Sequence, residues 1–323
     1  MKNSNQIYPY KLKKIKQPSQ KKIDRVKGKK LENYSVPVAF LRLLTTPFGF
    51  VTGMSMILVS AFKFFLPQYL QVIHLKHIPV KHVDHKFDEL IPYKTEFIQV
   101  YLQFVKYWIR PLVMLTERFG WWNGAKLGSE YMNYLYHSYC YAWEIYRKTF
   151  TTTYRPHEKE NKVLRRTQNA DPHFMCVPSL HISVCALTIS FYRMLFKREN
   201  FSSEEAEYWN RQIYDLGKEI AESVLYLKQH SVNCIPSALY MISKKFPELF
   251  PPEMAVELIN DFLTEKDDIS EENKKLIREH IIFQYERFLL EGTQADKWEE
   301  PILRWLKDYE PYIPSYAKFS KIK

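Results

Sequence analysis

Lys148, Arg155 with Pro156, the run Pro178-Ser179-Leu180-His181, and the stretch Ser223 to His230 follow one another along the chain. Together they collect cations, hydroxyls and two imidazoles, the groups that bind a tetrahedral anion and break a bond to it. Cations brought near one another repel unless an anion lies between them. The set therefore points to phosphoester chemistry carried by a histidine.

The elements that must position these residues are read first from composition. The chain has 323 residues, of which 46% are hydrophobic and 16% aromatic, enough to bury a large core and too apolar for a disordered protein. Eight glycines in the whole chain argue against glycine-rich phosphate loops, dinucleotide-binding turns and many-stranded sheets, which need positive φ at many positions. An all-α protein is expected.

The formal charge of +11 is concentrated at one end. Residues 1–34 hold ten lysines and Arg25 against Asp24 and Glu32, so the rest of the chain is nearly neutral. Residues 1–34 are expected to form a basic disordered arm, able to meet the anionic headgroups of a membrane. No basic and aromatic stripe continues into the body, which argues against nucleic acid as a partner. Cys140, Cys176, Cys185 and Cys234 lie far apart without metal-like spacing and read as free thiols or core residues.

Between Pro47 and Leu66 the only charge is Lys63, and the window is long enough to cross a bilayer or to lie along its surface. Farther on, the segment from Ser203 to His230 carries too many charges to face lipid, and the mean hydropathy is −0.38. The protein is expected to be cytoplasmic or membrane-associated, with residues 47–66 as the anchor.

Periodicity predicts one long or broken helix over 36–75, interrupted by Pro47, Gly49 and Gly53, then a polar loop over 74–94 with four histidines. Helices are expected over 95–118, 126–149 and 179–196, with a polar stretch at 151–176. One or two more should occupy 203–244, kinked or ended at Pro236. Amphipathic helices follow at 254–264 and 271–290. The domains so read are the arm (1–34), a helical domain (35–245) and a helical C-terminal extension (246–323) that covers the bundle or docks a partner.

Taken together, the strings resemble the phosphatidic acid phosphatase type 2 superfamily, which shares its helical bundle with vanadium haloperoxidases and bacterial acid phosphatases. The family pattern is Lys, six residues, Arg-Pro; then Pro-Ser-Gly-His; then Ser-Arg, five residues, His, three residues, Asp. Lys148 and Arg155-Pro156 match the first part, and Pro178 to His181 the second with Leu180 for Gly. Ser223 and His230 keep the interval of the third. Leu180 and the Lys228-Gln229-His230 ending are closest to the inositol phosphorylceramide synthase-like branch. The resemblance covers about residues 95–240; Val224 stands where the family has Arg, and Cys234 where it has Asp.

The resemblance implies a metal-independent phosphatase or phosphotransferase acting, without a cofactor, on a phosphomonoester or lipid phosphate. His230 would attack phosphorus, His181 would protonate the leaving oxygen, and Lys148, Arg155, Ser179 and Ser223 would hold the phosphate. If one helix ran from Ser223 through His230, Lys228 would lie one turn beyond Val224 and could replace the missing Arg. Asn233 or Cys234 would then have to orient His230 in place of the missing Asp. The alternative is a catalytically impaired relative that binds a phosphorylated ligand or a protein partner.

Overall fold

A computed structural model describes residues 15–319. Helices hold 68% of the chain, which places it in the all-α class. The described residues also hold one small sheet, in which β1 (Val80–His82) pairs in parallel with β2 (Phe150–Thr152), so that Val80 faces Phe150.

One contiguous apolar core runs from Ile15 to Leu306. At its centre the helix Leu180–Arg198 packs against Ser203–Tyr226, Trp121–Tyr146 and Cys234–Lys245. Arg198 clamps Glu130 of Trp121–Tyr146 through two 2.7 Å hydrogen bonds, a bidentate pair that sets the mutual register of those helices. The C-terminal third shares this core: Tyr240 packs against Phe288 with the rings tilted at 43°, and the hydroxyls of Ser243 and Tyr285 bond at 2.8 Å. It therefore covers the bundle.

The expected disordered arm gives way to structure well before residue 34. Residues 1–14 lie outside the described part, but Gln20–Val26 is helical and Val26, Leu31 and Tyr34 are buried. Those three side chains give the segment a face to dock, and Lys29 adds an ion pair with Glu117 at 2.9 Å.

Three other expectations change for local reasons. The break expected at Pro47 is there, after Val36–Leu44, but Gly49 and Gly53 do not add to it: Thr46 caps a new helix at Pro47 by accepting from the Gly49 N–H at 3.2 Å, and the missing proline N–H falls where no partner is needed. Gly49 and Gly53 then lie inside a continuous helix, Pro47–Val72, which widens to a π-turn at Ser60–Phe65. A Cβ at Gly49 would come within 2.2 Å of the Leu43 carbonyl, so the glycine permits the preceding helix, Val36–Leu44, to approach. Pro236 also sits in a first turn, that of Cys234–Lys245, and the chain breaks earlier, after Tyr226. The polar stretch at 151–176 contains a helix, Lys162–Ala170, capped by Asn161. Its hydrophilic sequence hides it, because only Leu164 and Gln168 are buried.

Candidate functional site

Two helix ends meet at the site. Ser179 is the N-cap of Leu180–Arg198 and accepts from the Ile182 N–H at 3.4 Å. Tyr146 donates to the Pro178 carbonyl just ahead of it, fixing the entry of the chain. The helix start thus aims its free N–H groups and partial positive charge at whatever lies beyond Ser179.

The other end is the close of Ser203–Tyr226. The Lys228 N–H donates to the Leu225 carbonyl at 3.1 Å and the Gln229 N–H to the Val224 carbonyl at 2.8 Å, while Lys228 takes φ +53°. This is a Schellman closure, with a lysine where glycine is usual. Ser223 and His230 are consequently not on one helical face: Ser223 is fully buried and donates to the Ile220 carbonyl at 2.7 Å.

Lys228 does not reach toward Val224 and the site. Its amine is buried and donates to the carbonyls of Asp88 and Ile91, both at 2.5 Å, and burial pushes its pKa down to about 8. Asp88 completes the support by accepting from the Val232 N–H at 2.8 Å and the His85 N–H at 2.7 Å. Burial pushes the Asp88 carboxyl up to about 6. The turn carrying His230 is therefore pinned from both sides by residues 85–91.

The turn and the helix start bring the two histidines together. His230 Nε2 lies 3.3 Å from Ser179 Oγ and 3.3 Å from His181 Nδ1, and the two rings meet edge-on at 5.4 Å. His181 lies against Tyr101 and Phe104, and burial followed by the neighbouring His230 pushes its pKa down to about 3. It is neutral in water near pH 7. His230 Nδ1 is buried and has no hydrogen-bond partner.

That unpartnered nitrogen is where an orienting carboxylate would act. Asn233 does not take the role: its amide donates to the Val83 carbonyl at 3.0 Å and Tyr309 Oη at 2.8 Å, and its Oδ1 faces His280 Nε2 at 2.8 Å. Cys234 is buried at the start of the next helix beside Cys176, where burial raises its thiol pKa.

Arg155 joins the site through Gln229. Its Nη1 donates to Gln229 Oε1 at 3.0 Å and to Asp171 Oδ2 at 3.1 Å, so the first string touches the residue next to His230. Lys148 points elsewhere, to Glu299 at 3.1 Å. Of the expected phosphate ligands, Arg155 and Ser179 lie with the histidine pair; Lys148, Ser223 and Lys228 do not.

A neighbouring network escaped the sequence reading. His173 Nδ1 lies 3.5 Å from Asp171 Oδ2, and its Nε2 lies 2.8 Å from Thr153 Oγ1 and 3.5 Å from Cys176 Sγ. Burial opposes ionisation of both His173 and Asp171. Contact with Cys176 and Asp171 nonetheless raises the His173 pKa, and His173 with Arg155 holds Asp171 below the usual carboxylate range. The signal in the sequence is the run Asp171-x-His173-x-x-Cys176, two residues ahead of Pro178.

A cavity of about 510 Å³ opens beside this network. Thr153, Arg155 and His173 line it, with Gln71 and Val72 from the end of Pro47–Val72; Ser179, His181 and His230 are not part of its wall. The loop histidines are used singly: His74 and His82 line the cavity, and His85 stacks on His280 at 4.0 Å. Among the described residues no group of three or more His, Cys, Asp or Glu is arranged to hold a metal ion.

No family model, no curated protein and no solved structure matches this chain.

Proposed function

We propose that the chain is a phosphatase or phosphotransferase acting on a phosphomonoester or lipid phosphate through a phosphohistidine on His230. The observation that carries this reading is the meeting of His230 Nε2 with Ser179 Oγ and His181 Nδ1, each at 3.3 Å, in front of a helix start. In the proposed reaction Nε2 forms a bond to phosphorus as the ester P–O bond breaks, and the leaving oxygen takes a proton from His181. Water, or a second alcohol, then attacks the phosphohistidine and returns a proton to His181. The N–H groups ahead of Ile182 and the Arg155 charge would stabilise the equatorial oxygens.

The His181 pKa of about 3 bears on this sequence. A phosphate bound against the histidine pair would add negative charge and raise the His181 imidazole pKa toward the working range. Turnover should therefore favour acid, with kcat, which reports the bound state, rising as pH falls from about 8 to about 5.

A second reading, a catalytically impaired relative that binds a phosphorylated ligand, is favoured by the unpartnered His230 Nδ1 and by the commitment of Lys148 and Lys228 to other partners. One experiment separates the two. Turnover of p-nitrophenyl phosphate and phosphatidate by wild type, absent in His230→Ala, with an acid-labile phosphoryl group trapped on wild type alone, supports the enzyme. Vanadate protection against heating without turnover supports the binder; neither turnover nor protection removes both.

A further inference from the structure

The helix Pro47–Val72 packs through one face and leaves the other bare. Phe48, Gly49, Thr52, Gly53, Met56 and Val59 are buried, and the helix is seated on Trp121–Tyr146. The outer face carries Phe50, Ile57, Leu58, Phe62, Phe65 and Tyr69, all exposed, with Phe62 at 60%. From Leu58 on these side chains recur every three or four residues, with Ile57 beside Leu58 and Phe50 two turns earlier, so they form one stripe along a helix of 26 residues, about 39 Å long. A contiguous apolar surface of this length marks an interaction site.

Charge identifies the occupant. From Asn33 to Val83 the chain has no Asp or Glu, and its charged residues are Arg42, Lys63, Lys76 and Lys81. At the head of the stripe stand Trp121 and Trp122, each about half exposed, with Trp122 edge-on to Phe48 at 5.0 Å. The Lys126 amine lies 6.0 Å from the Phe48 ring, and Lys22 Nζ lies close to Gly120, next to Trp121. An apolar stripe, flanking tryptophans and a segment that carries cations and no carboxylate are the combination that seats a helix in an anionic bilayer surface. A second copy of the chain would bring like charges together on this face.

We propose that the chain docks on anionic lipid bilayers through the outer face of Pro47–Val72, with the helix lying along the membrane and not crossing it. The inner face is occupied by Trp121–Tyr146, which carries Lys126, Glu130 and Glu144 and could not follow the helix into hydrocarbon. Docking brings the end of the helix, where Gln71 and Val72 line the cavity, to the headgroup layer. The inference stands apart from the proposed chemistry, because binding to vesicles requires no turnover.

The test is flotation of the full chain with vesicles of phosphatidylcholine alone and with about 30% phosphatidylserine added. Expected is binding to the anionic vesicles that weakens with salt, falls at least about tenfold in Phe62→Asp/Phe65→Asp, and is retained in Phe283→Asp, an exposed position on Glu271–Glu291. Wild type should also show quenching by brominated lipid that is lost in Trp121→Phe/Trp122→Phe, a readout that survives if the double aspartate variant fails to fold. Equal binding by the double variant and wild type, no binding by wild type, or retention in the membrane after alkaline carbonate would overturn the proposal. So would a dimer that Phe62→Asp/Phe65→Asp dissociates.

Discussion

The start of Leu180–Arg198 and the end of Ser203–Tyr226 each deliver a histidine to one place, yet they are built by opposite means. The first is closed by its own Ser179, one residue ahead of the helix, as capping chemistry directs. The second is closed by Lys228 in a left-handed conformation, whose amine reaches carbonyls 140 and 137 residues away. A left-handed non-glycine residue costs about 1–3 kcal/mol. The two charge-assisted bonds offset that cost, so this end depends on the tertiary structure around it.

The largest expected effect tests what the two ends assemble. His230→Ala should abolish turnover and phosphoryl trapping, whereas His181→Ala should lower kcat by roughly 10² to 10⁴ while still allowing the phosphoryl group to be trapped with an activated leaving group. Equal residual activity in the two variants would remove the division of labour between them.

Lys228→Met should cost roughly 2–4 kcal/mol, because two buried carbonyls lose a charged donor, and the loss would appear in denaturant unfolding. If Lys228 bound phosphate instead, stability would hold and KM would rise. Ser179→Ala should cost about 0.5–2 kcal/mol as a lost cap, with an added loss of kcat through its contact with His230. A stability cost larger than that of Lys228→Met would reverse the comparison.

Acid should sharpen it further. Burial, joined at His181 by the His230 charge and at His85 by the His280 and Lys86 charges, holds His181 and His85 near about 3; burial holds His280 near about 4, with Lys86 adding to it. Each lies below the ordinary value of 6.5, so the unfolded chain binds the extra protons. Stability from these groups is full above about pH 6.5 and is lost as pH falls toward about 3. The melting temperature should drop across that window, and His181→Gln should reduce the slope. The smallest effect is expected from Lys148→Ala, about 0–1 kcal/mol, since its partly exposed amine pairs only with Glu299. A large rise in KM there would place Lys148 at the phosphate after all.

These contrasts also separate what was legible from what was not. The helix start at Ser179 was legible because its signal is local: a capping serine before an apolar run. The close at Lys228 was not, because a continuous helix through His230 was the simpler reading of the spacing, and lysine rarely takes the left-handed cap. Pro47 marked a real break, whereas Pro236 misplaced one, since a proline reads as the end of a helix unless the helix is known to begin beside it. Asp171, His173 and Cys176 were in plain view, but nothing in the run said that Arg155 and Thr153 would fold over it.

What the sequence by itself determined is the helical class, the apolar window at 47–66 and a helix that begins at Ser179, all of which follow from periodicity and side-chain chemistry within a few residues. Only the tertiary structure decided which cations attend the histidines. An amine or guanidinium on a long side chain pairs with whatever acceptor the fold brings near: Glu299 for Lys148, two loop carbonyls for Lys228, and Asp171 with Gln229 for Arg155. Those acceptors come from segments remote in sequence, and spacing along one chain cannot name them.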